Sequence, residues 1–467
     1  MLPLREWAFW VIRMVLVWAW YFLRAVMEMR DARKTRRDGR TVPLRSDKLR
    51  VLVHACIDES YFAEDGSAQD RYLTVLPQAL RQKGYDVVIM PWLCNVSRSR
   101  RDAFAWFRQW PERYLIPEDY YSLWDYIWAA WIVISQAWFP SGKQVYQGID
   151  VTLLVAEARR QGAADTGIAL FVRYARLIRK LKAIGFKLDI FVDKFENMVT
   201  EKPQVIALRT YMPEVITVGF QHYVAPYPLQ LHMFTTPEEA VEAPHPDVIV
   251  CNSQFCVDLF AKEGFPGHKL RVGPSLRYLH LMDNHTNQGG IDNHVLVILP
   301  LDTGVAGEMV YKLVEAFPSD EGVRFLLKVH PAMPRRQWLL ALGERTLPAH
   351  MLTVDGEMSE AVRNAACAIA SPGTTAGLEL LLAGVPVVTV GRETDLDMNP
   401  FAWFSELEGS IYSPDQLRNA LMGILSTVKL SREAVRAWAE KYRPYYLSPL
   451  NDGTIQAFVE PPPRKIH

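Results

Sequence analysis

Short apolar runs alternate with segments of helical spacing along most of the chain, and this alternation constrains the fold more than any other feature. The run Leu49–Ala55 precedes a helically spaced segment, which Gly84 ends before a second run at Asp86–Pro91. Parallel strands need a crossover between them, so the pattern predicts an α/β fold that binds ligands at the carboxyl ends of its strands. A chain of 467 residues is too long for one core, and we expect two such domains.

The polar segment 283–293 is the best candidate for a linker between two Rossmann-like domains that face a cleft. We expect the first domain over residues 46–282 and the second over 294–430. Residues 1–45 would add a membrane-associated helix and a basic linker. Residues 431–467 would form a C-terminal helix and tail.

Residues 7–23 are almost entirely apolar, interrupted only by Arg13. Seventeen helical residues span about 25 Å, slightly less than the roughly 30 Å hydrocarbon core of a bilayer. The segment is expected to lie in the membrane interface or to span once; a helix packed on a soluble body is the third alternative. The basic residues at 33–37 place the body at the cytoplasmic face of the inner membrane, with residues 1–40 touching it.

Composition narrows the remaining classes. Lys and Arg total 52 and so do Asp and Glu, which argues against a nucleic-acid partner. Five cysteines without a Cys-x-x-Cys pair argue against a disulfide framework or a zinc site, and favour a reducing compartment. The aromatic-rich stretch 100–140 is expected to be core or, alternatively, a surface that faces a membrane or an acceptor.

Two motifs in the second half of the chain carry the chemistry. The first motif predicts a lysine and a histidine at the carboxyl end of a buried strand. The second predicts a strand, a turn of small residues and a helix start whose free N–H groups bind phosphate. Their residues are Lys328, His330 and Pro331 in the first motif, and Ser371, Gly373, Thr374 and Thr375 in the second. A weaker phosphate signal is Thr303-Gly304, where glycine lets the backbone approach a ligand.

Two Rossmann-like halves with phosphate chemistry in the second resemble the GT-B architecture. The first motif resembles the HP motif of bacterial sialyltransferases, Kdo transferases and teichoic-acid polymerases, and the second resembles their paired Ser/Thr motif. The segments Glu196–Lys202, Gly219–His222 and Pro246–Asn252 are similar to the surface-carbohydrate and capsule branch of these enzymes. The resemblance covers roughly residues 185–395.

This resemblance implies a glycosyltransferase that inverts the configuration at the anomeric carbon of the transferred sugar and uses no cofactor. His330 would contact the nucleotide phosphate, Thr374 and Thr375 would cap it, and Ser371 is a less certain participant. Glu379 would bind a ribose or sugar hydroxyl. The alternatives are that His330 is an ordinary strand-end histidine, that Thr374 is only a helix N-cap, and that Glu379 is a solvated glutamate. No Asp-x-Asp pair follows a strand in a loop, so no metal is expected.

The resemblance favours a CMP-linked acidic sugar as the nucleotide-sugar donor and a lipid-linked or growing surface polysaccharide as the acceptor. Arg277 would reach an anionic sugar or simply pin the hinge. Three alternatives stay open: a CDP-polyol phosphotransferase, a nucleotide-sugar 2-epimerase, and a non-catalytic assembly protein with the same fold.

Inverting transfer also needs a general base, usually a carboxylate or histidine from the first domain. Asp65 is the first candidate, because Glu-Asp-Gly resembles the acidic-acidic-Gly motif of the sialyltransferases. Asp58 and Glu59, just after the first strand, come next, followed by Glu196. His222 is expected to line the cleft or to be a hydrogen-bonded core histidine.

Overall fold

The structure is a computed structural model. The residues it describes are 4–36, 42–62, 70, 72–94, 96–139, 142–223, 235–282, 294–330, 333–343, 346–354, 362, 364–372, 374–399 and 409–461. The predicted linker 283–293 lies outside these residues, as do the candidate site residues Asp65, Pro331 and Gly373.

The first domain is built on a six-stranded parallel sheet of order β2-β1-β5-β6-β7-β8. β1 is buried along its whole length, as expected for a parallel strand covered on both faces. β3 and β4 form a separate antiparallel hairpin. The strands are β1 (Arg50–Ile57), β2 (Asp86–Leu93), β3 (Val145–Tyr146), β4 (Ile149–Asp150), β5 (Ile190–Lys194), β6 (Ile216–Gln221), β7 (Val248–Cys251) and β8 (Leu270–Val272).

The second domain has a five-stranded parallel sheet of order β11-β10-β9-β12-β13. Since β9 lies between β10 and β12, the segments that follow these three strands meet at one edge. The strands are β9 (His294–Ile298), β10 (Arg324–Lys328), β11 (Met351–Val354), β12 (Cys367–Ala370) and β13 (Val387–Thr389). Two parallel sheets confirm the predicted α/β fold class.

Helices cover both sheets. In the first domain they are α1 (Leu4–Thr35), α2 (Leu76–Gln82), α3 (Arg100–Phe107), α4 (Leu123–Ser135), α5 (Thr152–Gly162), α6 (Thr166–Ala183), α7 (Lys202–Tyr211), α8 (Pro237–Glu242) and α9 (Gln254–Lys262). From the second domain onward they are α10 (Thr303–Ala316), α11 (Arg335–Leu342), α12 (Ala376–Leu382), α13 (Pro414–Ser426), α14 (Val428–Tyr446) and α15 (Asp452–Gln456).

The first helix packs on the first domain along one face. Trp18, Tyr21, Ala25 and Met29 are buried at helical spacing, and Trp18 Nε1 donates to the carbonyl of Ala163 at 3.1 Å. By length and hydropathy α1 could cross a membrane, yet its inner face belongs to the core of the body. The opposite face exposes large apolar side chains: Phe9, Ile12, Val15, Leu16, Trp20, Leu23, Val26 and Met27.

The aromatic stretch 100–140 divides between core and surface. Phe104, Phe107 and Tyr126 are buried. Trp124 and Trp131, on the other side of α4, are 73% and 64% exposed. Part of this stretch is therefore core and part is exposed surface, and a membrane or acceptor facing that surface stays a prediction.

One cysteine pair corrects the expectation that the cysteines form no disulfide. Cys56 near the end of β1 and Cys94 just after β2 are joined by a disulfide, with Cα atoms 6.2 Å apart. The two strands pair in parallel and place Cys56 opposite Trp92, so their carboxyl ends meet although 38 residues separate the cysteines. Spacing along the chain could not reveal this proximity. The other cysteines, Cys251, Cys256 and Cys367, are buried and form no disulfide.

The C-terminal arm ties the domains together. One apolar cluster joins Phe255 and Tyr278 of the first domain to Leu378 on α12 and Tyr446 on α14. Beyond α14 the chain returns to the first sheet, where Phe458 is fully buried in the core under that sheet. The tail therefore completes the first domain.

Candidate functional site

Glu196, two residues after β5, is a buried carboxylate at the carboxyl end of the first sheet. Its Oε1 accepts from His222 Nε2 at 3.0 Å and from the Tyr223 hydroxyl at 2.8 Å, and its Oε2 accepts from Lys194 Nζ at 2.6 Å. Burial would raise the pKa of Glu196, but the hydrogen bond from His222 and the charge of Lys194 hold it well below its usual range. Glu196 is thus an ionised carboxylate that orients His222.

His222 follows β6 and is 1% exposed. Its Nδ1 is buried and has no hydrogen-bond partner among the described residues, while the ring of Tyr72 stacks on it with centroids 4.2 Å apart. Burial lowers the pKa of His222 and outweighs Glu196, so the imidazole is neutral. With Nε2–H directed to Glu196, Nδ1 carries the lone pair, which is the arrangement of a histidine base oriented by a carboxylate.

A buried aspartate supports the stacked tyrosine. Asp70 Oδ1 accepts from the backbone N–H groups of Tyr72 and Leu73, at 2.7 and 2.5 Å. Burial raises the pKa of Asp70 to about 6. Asp70 therefore fixes the turn that places Tyr72 over His222.

A second histidine on this edge was not among the residues predicted from the sequence. His54 of β1 has Nδ1 at 3.0 Å from Asp193 Oδ1 and Nε2 at 3.1 Å from the Tyr174 hydroxyl. Asp193 directly precedes Lys194, which holds Glu196. The one available signal was a histidine inside an otherwise apolar strand run.

The structure holds Asp58 and Glu59 elsewhere, in the turn after β1. Asp58 Oδ1 accepts from the backbone N–H of Ser60. Glu59 pairs with Arg98 at 2.6 Å, and this hydrogen bond lowers the pKa of Glu59 to about 2. Both carboxylates therefore have structural work in their own turn. Within the described residues, the hydrogen bonds of Asp58 and Glu59 go to Ser60, Ser97 and Arg98 and not to Glu196 or His222.

The two phosphate-binding motifs predicted from the second half of the chain lie at the carboxyl edge of the second sheet. Lys328 ends β10 and is buried, His330 follows it and is half-buried, and Ser371 directly follows β12. Ser371 is 2% exposed, and its Oγ has no hydrogen-bond partner among the described residues. Because β9 separates β10 from β12, both motifs lie on the same edge one strand apart.

The hydroxyls after Ser371 have local partners. Thr374 Oγ1 accepts from the N–H of Ala376 at 3.3 Å, and Thr375 Oγ1 donates to Glu379 Oε1 at 3.3 Å. The helix that starts at Ala376 has only seven residues. So short a helix contributes little dipole.

The Thr303-Gly304 turn has a carboxylate beside it. Asp302 caps the helix that begins there, and its Oδ1 accepts from the N–H of Val305 at 2.8 Å. This carboxylate repels an anion and uses one of the backbone donors. The phosphate contact at Thr303 and Gly304 stays a prediction, and the Asp302 cap argues against it.

Arg277 links the two edges electrostatically. Burial would lower the pKa of Arg277, but Tyr278 and the carboxylate of Glu379 in the second domain raise it. Its charge also contributes to lowering the pKa of His222. A guanidinium thus lies within electrostatic reach of both Glu379 and the His222–Glu196 pair.

Within the described ranges, no group of three or more His, Cys, Asp or Glu side chains is placed to hold a metal ion. No family model matches the chain, and neither does any curated protein.

Several solved structures are similar over most of their length. UDP-GlcNAc 2-epimerase from Neisseria meningitidis, solved bound to UDP-GlcNAc, has 11% identity and a TM-score of 0.46 over 88% of this chain and 98% of its own. MurG from Acinetobacter baumannii has 11% identity and a TM-score of 0.44 over 88% and 99%. The glycosyltransferase SnogD from Streptomyces nogalater has 14% identity and a TM-score of 0.45 over 88% and 98%. At such low identities and TM-scores, function has to be inferred from this chain's own residues.

Proposed function

We propose that this chain is a glycosyltransferase that moves a sugar from a nucleotide-activated donor to an acceptor carried by a membrane lipid. The observation that carries the proposal is the neutral His222, held through Nε2 by the ionised Glu196, at the strand edge that Arg277 connects with the second domain. The carboxyl edge of the second sheet offers an imidazole and hydroxyls, a donor set suited to a phosphate leaving group.

In this proposal His222 is the general base. Its Nδ1 accepts the proton of the acceptor hydroxyl as that oxygen bonds to the anomeric carbon, and Glu196 stabilises the imidazolium that forms. The bond between the anomeric carbon and the phosphate oxygen breaks, and its electron pair leaves with the nucleotide. Attack opposite the leaving group inverts the anomeric carbon.

On the donor side, His330 and the hydroxyl of Ser371 would bind the departing phosphate. The buried, unpartnered Oγ of Ser371 supports this role, because a buried hydroxyl without a partner costs stability unless a ligand satisfies it. Arg277 favours a donor that carries an extra negative charge, which supports the CMP-linked acidic sugar over a neutral sugar. Glu379 would accept a hydrogen bond from a donor hydroxyl.

Membrane docking belongs to the same proposal. The outer face of α1 and the exposed tryptophans of α4 would enter the membrane interface with the helix in plane, on the cytoplasmic side. A spanning orientation would strip the buried face of α1, including Trp18 and Tyr21, from the body. The apolar outer face favours a transferase with a membrane acceptor over a 2-epimerase, whose substrate is soluble.

Nucleotide titration by thermal unfolding tests the donor site. We expect CMP or CDP to raise the Tm of the wild type and His330→Ala to abolish that rise, because the imidazole contacts the nucleotide phosphate. His268→Ala, at an exposed position in the first domain, is the matched control and should keep the full rise.

Two results would reject the site. An undiminished rise in His330→Ala would remove the histidine from it, and no rise with any CMP, CDP or UDP species would favour a non-catalytic assembly protein. Conversion of a free UDP-sugar to its 2-epimer without an acceptor would instead identify an epimerase.

A further inference from the structure

A cleft between α1 and the body of the first domain contains an unusual excess of arginine. It has a volume of about 30 Å³. Its polar lining is Arg24 and Glu28 from α1, Arg100 from α3, Arg173 and Tyr174 from α6, and Glu118. Its apolar lining is Pro91, Trp92, Leu93, Phe104, Leu170 and Phe171.

Three guanidinium groups converge on the single carboxylate of Glu28. Arg24 Nε lies 2.9 Å from its Oε1, Arg100 Nη1 binds the same oxygen, and Arg173 Nη1 lies 3.4 Å from its Oε2. Burial would raise the pKa of Glu28, but the three arginines lower it, so the carboxylate is ionised. Three positive charges facing Glu28 leave two unbalanced before Glu118 is counted.

Glu118 neutralises the cleft only in part. Burial, and next the charge of Glu28, raise the pKa of Glu118 to about 7. At neutral pH the carboxyl is therefore about half protonated. The cleft carries a net charge between +1 and +2, from three arginines against one or two carboxylates.

One hydrogen-bond donor of Arg173 has no partner among the described residues. Arg173 is 5% exposed, its guanidinium lies against the rings of Tyr126 and Tyr121 at 4.2 and 5.1 Å, and its Nε has no partner among the described residues. A buried guanidinium with an unused donor is costly unless a ligand satisfies it. This orphaned donor is a second, independent indication of an anionic ligand.

The cleft lies between the apolar face of α1 and the proposed catalytic edge. Arg24 stands on α1 beside the exposed Trp20 and Leu23. On the other side, Trp92 lines the cleft and has Lys194 Nζ 5.9 Å from its ring centre. A lipid lying along α1 would thus have its head group one residue layer from Glu196.

We infer that this cleft binds the phosphate or diphosphate group of a membrane lipid, through Arg24, Arg100 and Arg173. The inference rests on the proposed function, in which the acceptor sugar is attached to such a lipid. The phosphate stays in the cleft during transfer and undergoes no chemistry. It positions the acceptor between the membrane and His222.

Vesicle binding by the full chain tests the inference. The probes are phosphatidylcholine vesicles containing phosphatidic acid, whose phosphomonoester is accessible, and vesicles matched in surface charge with phosphatidylserine. We expect tighter binding to phosphatidic acid, and Arg100→Gln to reduce that affinity by roughly tenfold, the value of about one charge-assisted hydrogen bond. Binding to phosphatidylserine should not change.

Arg101→Gln is the matched control, because Arg101 is the exposed neighbour of Arg100 on the same helix and its substitution removes the same charge. It should leave phosphatidic acid binding as in the wild type. If Arg100→Gln fails to fold by circular dichroism, Arg24→Gln on α1 takes its place with the same expectation.

Equal losses in Arg100→Gln and Arg101→Gln, or equal wild-type binding to both vesicles, would overturn the inference. A Tm increase with soluble pyrophosphate that Arg100→Gln abolishes, without preference between vesicles, would assign the cleft to a free phosphate compound and overturn its lipid part. The nucleotide titration is independent of the vesicle experiment. Selective lipid binding without nucleotide binding would reject the proposed transferase activity. Nucleotide binding without selective lipid binding would reject only the proposed lipid-phosphate site in the cleft.

Discussion

At the residue scale, His222 combines a carboxylate partner on Nε2 with an Nδ1 that has no partner among the described residues. Glu196 accepts from Nε2, and this hydrogen bond together with the charge of Lys194 lowers the pKa of Glu196 and keeps the carboxylate ionised. Sequence patterns suggested both Glu196 and His222 as candidates, but as separate ones. Their pairing depends on β5 and β6 being neighbours in the sheet.

Substitution of His222 by glutamine should reduce kcat by about 10²- to 10⁴-fold, the usual contribution of a general base. The assay is sugar transfer with a saturating donor. His245→Gln is the matched control, because His245 is equally buried but bonds to Asn197. Similar losses in both variants would indicate a structural effect and contradict the assignment.

The pH profile gives a further prediction. Burial lowers the pKa of His222 below 6.5, and the positive charges of Arg277 and Lys194 act in the same direction against Glu196. The base is active when neutral, so kcat/KM should decline as His222 is protonated, with its half-maximal point below pH 6.5. A half-maximal point at or above pH 6.5 would contradict this role.

At the element scale, the apolar runs predicted to be strands are strands with slightly different bounds. The run Leu49–Ala55 corresponds to β1 (Arg50–Ile57), and the run Asp86–Pro91 corresponds to β2 (Asp86–Leu93). The helically spaced segment between them forms a helix only from Leu76, because the Asp70 carboxylate accepts the N–H groups of Tyr72 and Leu73. A side-chain acceptor competing with the helix is difficult to recognise in a helical spacing pattern.

The two faces of α1 give a matched pair of variants. Trp18→Ala removes a buried ring and its hydrogen bond, and should lower the free energy of unfolding by about 3–5 kcal/mol. Trp20→Ala, at a position 59% exposed, should change stability by less than about 0.5 kcal/mol. Vesicle binding should show the opposite order when normalised to folded protein, with the larger loss in Trp20→Ala. Equal stability losses in urea unfolding would contradict the packed orientation of α1.

At the scale of the whole molecule, the C-terminal arm makes the stability of the first domain depend on the last residues of the chain. Phe458 is fully buried, and its ring lies 5.4 Å from that of Phe220 on β6. Phe458→Ala should destabilise the first domain by about 3–5 kcal/mol in urea unfolding. Leu430→Ala, at an exposed position on the same arm, should have little effect. If Phe458→Ala leaves the urea unfolding of the first domain unchanged, the packing of the tail against that domain would be contradicted.

The sequence by itself determined the order of strands and helices, the α/β class and the polar residues at strand ends, because burial periodicity and turn chemistry are local. The tertiary structure decided which strand ends are neighbours, and therefore which residues form pairs. It joined Cys56 to Cys94, paired Glu196 with His222, buried one face of α1 and gathered Arg24, Arg100 and Arg173 around Glu28. Such contacts join residues far apart in the chain, and no local pattern encodes them.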